Sequence, residues 1–161
     1  MIERALREIS VIGLGLLIAF GLSLLPLPVF TSSFIPDWVL LTVLYWAIYL
    51  PQRIGLGLAW LTGLLTDVLT NSLLGEHAFA SVVVTYIALK FYRRIRNFSM
   101  WQQMALIAFL LALYRAILFW IQGMIQQPLH YNYWFPIATG TLLWPLLAAV
   151  FDDFQQRGQV E

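Results

Sequence analysis

The 161-residue chain contains no cysteine and few charged side chains, and each shortage excludes a class of protein. Without cysteine there can be no disulfide, no thiolate nucleophile and no cysteine-based metal site. Charged residues make up 11% of the chain, whereas a soluble domain carries about 25%. The chain has two histidines, His77 and His130, which are too few to predict a metal site. We therefore expect neither a soluble domain nor a bound metal or other cofactor.

The chain is instead rich in apolar residues: 61% are hydrophobic and the mean hydropathy is +0.80. A transmembrane helix takes about 20 residues, so six helices with short loops nearly use up the sequence. The first apolar run continues past Leu25 without a cleavage site, which favours a retained helix over a signal peptide. We predict an all-α, polytopic membrane bundle that forms a single domain over residues 1–161. The predicted helices cover residues 9–29, 36–50, 53–74, 76–91, 100–122 and 134–151.

The lysines and arginines at the ends of these helices fall in alternate segments. The loops after the first, third and fifth helices contain none, whereas the termini and the other loops contain eight of the nine. These eight are Arg4, Arg7, Arg53, Lys90, Arg93, Arg94, Arg96 and Arg157. Basic residues stay on the cytoplasmic side of the membrane, so both termini are predicted to be cytoplasmic. A five-helix arrangement would separate the N-terminus from the basic loop after the fourth helix, and we reject it.

The third predicted helix has a small or polar residue at every fourth position. These residues are Gly55, Ala59, Gly63 and Asp67. Residues four apart share one face of a helix, and small residues let a second helix approach closely in a membrane. The face could pack inside the bundle or form a docking groove for a partner's helix. The first helix has a similar stripe, which consists of Gly15, Ala19 and Ser23.

Two charged residues, Asp67 and Arg115, are predicted to lie within the membrane. Asp67 is about 20 Å from the cytoplasmic start of its helix at 1.5 Å per residue, and Arg115 reaches a similar depth. Charges at such depth usually face the protein interior and find a partner. We hypothesise that the two side chains approach each other. The alternative is that each lies near the outer interface, with Arg115 extending towards the headgroups.

Two outer helix starts carry an acid beside a residue typical of helix ends. Asp37 follows Pro36, and Glu76 follows Gly75. Proline suits the first helical position, and an acid there complements the helix dipole. These pairs are therefore explained as helix starts, and no spacing supports their use as an acid and base in catalysis.

Lys90, Arg93, Arg94 and Arg96 form a basic segment with interleaved aromatic residues. We predict that it fixes orientation and contacts anionic membrane lipids, and docking of a cytoplasmic partner is the alternative. Nucleic-acid binding is not expected, because the cluster is short and tied to the membrane surface. The polar and aromatic loop over residues 126–134 fits an interfacial belt or the lining of a ligand cavity.

Several short motifs follow one another along most of the chain. They are Pro36-Asp37-Trp38-Val39-Leu40-Leu41, Tyr45-Trp46, Leu50-Pro51-Gln52-Arg53, Gly63-Leu64-Leu65-Thr66-Asp67, Leu74-Gly75, Trp101-Gln102-Gln103 and Leu143-Trp144-Pro145. In this order and spacing, the chain resembles the MreD family of rod shape-determining proteins. The family pattern carries over to Pro36, Asp37, Gly63, Asp67 and Gly75, whereas Arg115 is not part of it.

The resemblance implies a non-enzymatic scaffold in the bacterial inner membrane that takes part in cell elongation. It implies binding to the transmembrane helix of MreC and contact with MreB, with RodA and with its class B penicillin-binding protein. It also implies a six-helix fold similar to the S components of vitamin transporters. From the residues alone, two rival functions stay open: a small-molecule-binding subunit of a membrane transporter, and a membrane enzyme that uses Asp37 and Glu76.

Overall fold

The computed structural model describes residues 2–25, 34–125 and 131–157, and within them every regular secondary-structure element is a helix. A short 3₁₀ turn at Tyr131–Trp134 leads into the last helix. The described ranges contain six α-helices: α1 (Ile2–Ser23), α2 (Trp38–Tyr49), α3 (Leu56–Thr70), α4 (Glu76–Arg96), α5 (Met100–Met124) and α6 (Phe135–Arg157). The predicted all-α class and the predicted six helices are confirmed.

The start of α1 and the end of α3 differ from the predicted ones. α1 begins at Ile2 rather than at residue 9, because no helix-breaking residue separates the polar start from the apolar run. α3 ends at Thr70, since Asn71 adopts a left-handed conformation with φ of 51° and donates its N–H to the carbonyls of Asp67 and Val68. The predicted end of the first helix at residue 29, and His130 in the loop after α5, lie outside the described residues.

Three of the described helices are long and apolar enough to cross a membrane: Leu6–Ser23, Met100–Met124 and Phe135–Asp153. In α5, Trp101 and Trp120 are 81% and 73% exposed. Their 19-residue separation corresponds to about 28 Å, close to the thickness of the hydrocarbon core. Exposed tryptophans at both ends of such a helix are typical of the two membrane–water interfaces. α2 and α3 are shorter, with 12 and 15 residues.

α2 is the centre of the bundle. All of its residues from Val39 to Ile48 are buried, and α1, α3, α4 and α6 pack against it. A helix that is apolar on every side is expected to be buried on every side. α2 is only about 18 Å long at 1.5 Å per residue, so its ends lie inside the bundle formed by longer neighbours.

Specific contacts bring the basic segments to one end of the bundle. Arg53, in the turn after α2, forms an ion pair with Glu8 of α1 at 2.8 Å between Nε and Oε2. The guanidinium of Arg96 lies 6.0 Å from the ring of Tyr49. The N-terminal part of α1, the turn after α2 and the end of α4 therefore meet at one place. We call this the basic end, and the other end the opposite end.

Candidate functional site: a polar cavity at the opposite end

The small-residue face of α3 is covered by α4 of the same chain. Ala59, Gly63 and Asp67 are buried on this face, whereas Gly55 is exposed at the start of the helix. A Cβ added at Gly63 would lie 2.4 Å from Cα of Ala78 and 2.9 Å from the carbonyl oxygen of His77. Only glycine allows the two backbones to approach this closely. The face therefore packs inside the bundle, and it leaves no room for a partner's helix beside Gly63.

Asp67 organises the turn between α3 and α4. Its side chain is fully buried. Oδ2 accepts a hydrogen bond from the backbone N–H of Gly75 at 2.8 Å, and Oδ1 accepts one from the backbone N–H of His77 at 2.8 Å. The hydroxyl of Ser72 and Nδ1 of His77 lie 3.0 and 2.8 Å from Oδ1. A buried carboxylate is stabilised by such hydrogen bonds, so Asp67 needs no cation from another helix.

Arg115 pairs with Asp37, and the predicted pairing of Arg115 with Asp67 is wrong. Nη2 of Arg115 donates a hydrogen bond to Oδ2 of Asp37 at 2.8 Å. The physical reason is helix order. α4 packs against both α3 and α5, whereas within the described part of the chain α3 and α5 do not contact each other. Equal depth along two helices does not make those helices neighbours.

Asp37 has a different role from the one that its position suggested. It occupies the N-cap of α2, but its side chain makes no capping hydrogen bond. The carboxylate instead accepts the hydrogen bond from Arg115. The negative charge of Asp37 still lies at the positive end of α2, so it also interacts favourably with the helix dipole. Its ion-pair partner on α5 was not predicted from the sequence.

Tyr133 covers Arg115 from the 3₁₀ turn. Its ring centroid lies 5.1 Å from the guanidinium carbon, within the range of a cation–π contact. Its hydroxyl donates a 3.4 Å hydrogen bond to the carbonyl oxygen of Arg115. Burial raises the pKa of Tyr133 to about 12, so its phenol stays protonated at physiological pH. The ring of Tyr133 therefore covers one side of the Asp37–Arg115 ion pair.

Glu76 is also buried at the opposite end, in the first turn of α4. Nε2 of Gln122 on α5 donates a hydrogen bond to Oε1 of Glu76. The other carboxylate oxygen has no hydrogen-bond partner among the described residues. Gly75 before it adopts φ of 99°, a conformation that favours glycine. The helix-start explanation of Glu76 is therefore incomplete, because the side chain also links α4 to α5.

A polar cavity of about 260 Å³ lies beside the Asp37–Arg115 pair. Its wall includes both charged residues and a series of hydroxyl groups from α1, α3, α4 and α5. The hydroxyl-bearing residues are Ser23, Thr62, Thr66, Thr70, Ser81 and Tyr114. The charges of Asp37 and Arg115 cancel, and the cavity offers many hydrogen-bonding groups, which suit binding of a polar group. This cavity is the candidate functional site.

The basic segment lies far from the cavity, at the basic end. Arg93, Arg94 and Arg96 are exposed in the last turn of α4, where cations complement the helix dipole. Nζ of Lys90 lies 6.0 Å from the ring centroid of Phe91, and Nε of Arg93 donates a hydrogen bond to the hydroxyl of Tyr92 at 2.9 Å. The aromatic and basic side chains therefore form one exposed surface.

Residues 4–153 match the family of the rod shape-determining protein MreD. The chain belongs to the MreD family. The rod shape-determining protein MreD of Haemophilus influenzae is 33% identical over 129 residues, which covers 80% of each chain. As a member of this family, the chain is a membrane protein with a role in cell shape. No solved structure matches it, so the similarity to S components of vitamin transporters stays a prediction.

Proposed function

We propose that this MreD-family member is a non-enzymatic scaffold of the bacterial cell-elongation machinery. It would lie in the inner membrane, bind the transmembrane helix of MreC and help to organise lateral peptidoglycan synthesis. The observation that carries the proposal is the family match over residues 4–153. The six-helix architecture supports it, because such a bundle can present lipid-facing helices to the single helix of a partner.

Both termini are proposed to face the cytoplasm, with six crossings of the membrane. The meeting of the basic segments at one end supports this orientation, because a cytoplasmic surface retains lysine and arginine. Fusions of green fluorescent protein and alkaline phosphatase to each terminus test it. We expect fluorescence and no phosphatase activity at both termini. Phosphatase activity at either terminus would overturn the orientation.

The MreC helix is proposed to dock on an outward apolar surface, since α4 covers the small-residue face of α3. The outward surface of α3 carries Leu61, Leu65 and Val68, which are 53%, 47% and 61% exposed. The basic end would contact MreB, and lateral contacts would reach RodA and its class B penicillin-binding protein. In this proposal the protein holds its partners in position and contributes no catalytic side chain.

Affinity purification of the full chain in mild detergent, with co-expressed MreC, tests the scaffold proposal. We expect MreC to co-purify with the folded protein. Rod shape should be lost when the gene is depleted and restored by the wild-type chain. Failure of MreC to co-purify with a folded protein would argue against the scaffold.

A second candidate is a small-molecule-binding subunit of a membrane transporter, and the polar cavity favours it. A water-soluble ligand should then co-purify with the isolated protein and dissociate in the Arg115→Gln variant. Mass spectrometry of the denatured, purified protein would detect it. Recovery of MreC without any soluble ligand would favour the scaffold.

A further inference from the structure

We propose that the polar cavity and an apolar groove beside it form one site for a phospholipid whose headgroup carries an ammonium group as well as its phosphate. Ethanolamine phospholipids have this chemistry. The groove has a volume of about 210 Å³ and lies between α1 and α6, and Trp38 lines both the groove and the cavity. The inference goes beyond scaffolding, and it depends on the membrane location but not on MreC.

The groove exists because α1 packs on α2 without packing along α6. Among the described residues, no backbone contact joins α1 to α6. The two helices approach at Gly15, where an added Cβ would lie 3.2 Å from Cε1 of Phe151. Nearly all of the lining is apolar, as a bound acyl chain requires. Its apolar residues include Ile18, Ala19, Leu22, Leu143, Leu147 and Val150.

Along α1, the wall changes from apolar to polar. Gly15, Ala19 and Leu22 line the groove, whereas Ser23 lines the cavity. From Gly15 to Ser23 the helix rises by about 12 Å. The polar part lies towards the opposite end and the apolar part towards the middle of the helix. This order matches a membrane lipid that lies with its headgroup at the opposite end.

One wall of the cavity is rich in hydrogen-bond acceptors. The hydroxyls of Thr62, Thr66 and Thr70 each donate to a carbonyl oxygen four residues earlier in α3, at 2.8–2.9 Å. Their hydrogens are therefore already used, and the oxygen lone pairs remain as acceptors. Together with the carboxylate of Asp37, this wall suits an ammonium group, which has three donors and no acceptor.

The charged donor of the cavity is Arg115. It uses Nη2 to reach Asp37, and its buried Nε has no hydrogen-bond partner among the described residues. A guanidinium carries five N–H donors and binds phosphate oxygens well. Because Asp37 and Arg115 sum to zero charge, a headgroup with both signs matches the site better than an anionic headgroup does. The ammonium would lie towards Asp37 and the phosphate towards Arg115.

Lipid retention by the full-length protein tests the proposal. The delipidated protein in mild detergent is mixed with equal amounts of phosphatidylethanolamine and phosphatidylglycerol of the same acyl chains, and bound lipid is counted by native mass spectrometry. We expect one retained lipid with a preference of about tenfold for phosphatidylethanolamine. The double variant Asp37→Asn/Arg115→Gln removes both charges together and should abolish the preference. Equal retention by the wild type, or an unchanged preference in the double variant, would overturn the proposal.

Two matched pairs of variants keep the test decisive if the double variant does not fold. Thr66→Val removes a cavity acceptor, and Thr141→Val removes a hydroxyl on α6 that makes the same kind of bond to its own helix. Val150→Trp fills the groove, whereas Leu142→Trp adds the same ring on the lipid-facing side of α6, where Leu142 is 70% exposed. We expect Thr66→Val to lower the preference about threefold and Val150→Trp to lower retention of both lipids. Effects of equal size in the control variants would contradict the site.

Two other occupants give different results. If soluble glycerophosphoethanolamine displaces the lipid at equal concentration, the cavity holds a free metabolite and the lipid proposal fails. If Val150→Trp leaves lipid retention unchanged and instead prevents MreC from co-purifying, the groove holds a partner's helix and the proposal also fails. The lipid measurement uses the isolated protein without MreC. A result that overturns the lipid proposal would therefore not contradict the scaffold function.

Discussion

Arg115 on α5 reaches across 78 positions of sequence to the carboxylate of Asp37 at the start of α2. The two side chains are 15% and 24% exposed. Arg115 precedes the end of α5 by nine residues, which corresponds to about 14 Å. The start of the short central helix is therefore recessed within the bundle, and this ion pair fixes the position of α2 relative to α5.

We expect Arg115→Gln to lower the free energy of unfolding by about 3–5 kcal/mol, because it leaves a largely buried carboxylate without its cation. The double variant Asp37→Asn/Arg115→Gln should cost less than Arg115→Gln alone, since neither charge is then orphaned. Unfolding in mixed detergent micelles, followed by tryptophan fluorescence, measures both. Arg53→Gln is the control: that residue and Glu8 are 37% and 38% exposed, so the loss should stay below about 1 kcal/mol.

The same measurement distinguishes the observed pairing from the one expected from depth alone. Exchanging the charges of Asp37 and Arg115 should restore part of the stability that each single reversal removes. Exchanging those of Asp67 and Arg115 should restore none, because α3 and α5 are not neighbours among the described residues. Rescue by the second exchange would contradict the structure.

Asp67→Asn should loosen the turn between α3 and α4. Both carboxylate oxygens accept backbone N–H groups, from Gly75 and His77, and an amide would turn an NH₂ group towards one of these donors. We expect a loss of about 1–3 kcal/mol for the buried donor left unpaired. Hydrogen exchange should become faster at the amides of Gly75 and His77. The backbone amide of Gln103, which donates to the carbonyl oxygen of Ser99 at the N-cap of α5, should not change.

The number of helices and the grouping of their ends could be predicted from sequence because both follow from local composition. Long apolar runs specify helices, and the distribution of lysine and arginine separates one set of loops from the other. The meeting of Arg53 with Glu8 and of Arg96 with Tyr49 agrees with that separation. These properties need no knowledge of which helices are neighbours.

The partners of the polar residues could not be predicted in the same way. The depth of Asp67 and Arg115 follows from their positions along two helices, but their partners depend on the order of the helices around α2. His77, Ser72 and Tyr133 gave no sequence signal strong enough to assign them to these charges. The sequence does contain one signal for this arrangement: α2 is apolar on every side, which indicates a central helix and hence a recessed Asp37.

Gly63→Ala should destabilise the bundle, whereas Gly57→Ala should not. At Gly63 the added Cβ would lie 2.4–2.7 Å from backbone atoms of Ala78, and backbone cannot move aside as a flexible side chain can. We expect a loss of about 1–3 kcal/mol from overpacking. Gly57 lies in the same helix with no atom within 4 Å of an added Cβ, so alanine there should gain up to about 1 kcal/mol from helix propensity.

Variants at the two glycine positions also distinguish an effect on folding from an effect on MreC binding. A loss of MreC in proportion to the unfolded fraction of Gly63→Leu would indicate that this face acts through packing inside the bundle. Gly57→Leu should keep the fold. Because Gly57 lies on the same outward face of α3 as Leu61 and Leu65, loss of MreC from this folded variant would support docking on that face. A Gly63→Leu protein that is as stable as the wild type and still loses MreC would show that the partner reaches this face after all.

A hydrogen bond between α2 and α6 lies near the basic end of the bundle. The hydroxyl of Tyr45, in the fully buried part of α2, donates a hydrogen bond to Oδ1 of Asp152 on α6, 107 positions away. Tyr45→Phe keeps the ring, which stacks on Tyr49 and Phe151, so a double-mutant cycle with Asp152→Asn isolates the hydrogen bond. We expect a coupling energy of about 1.5–3 kcal/mol, because a carboxylate is the acceptor.

The matched control for this cycle is Tyr86→Phe combined with Asp152→Asn. Tyr86 is 52% exposed on α4, so its coupling to Asp152 should be zero within about 0.5 kcal/mol. A coupling below that limit for Tyr45 as well would mean that the end of α6 is held by apolar packing alone. A large coupling would mean that one buried hydroxyl fixes the end of α6 against the central helix, at the end of the bundle where the basic segments meet.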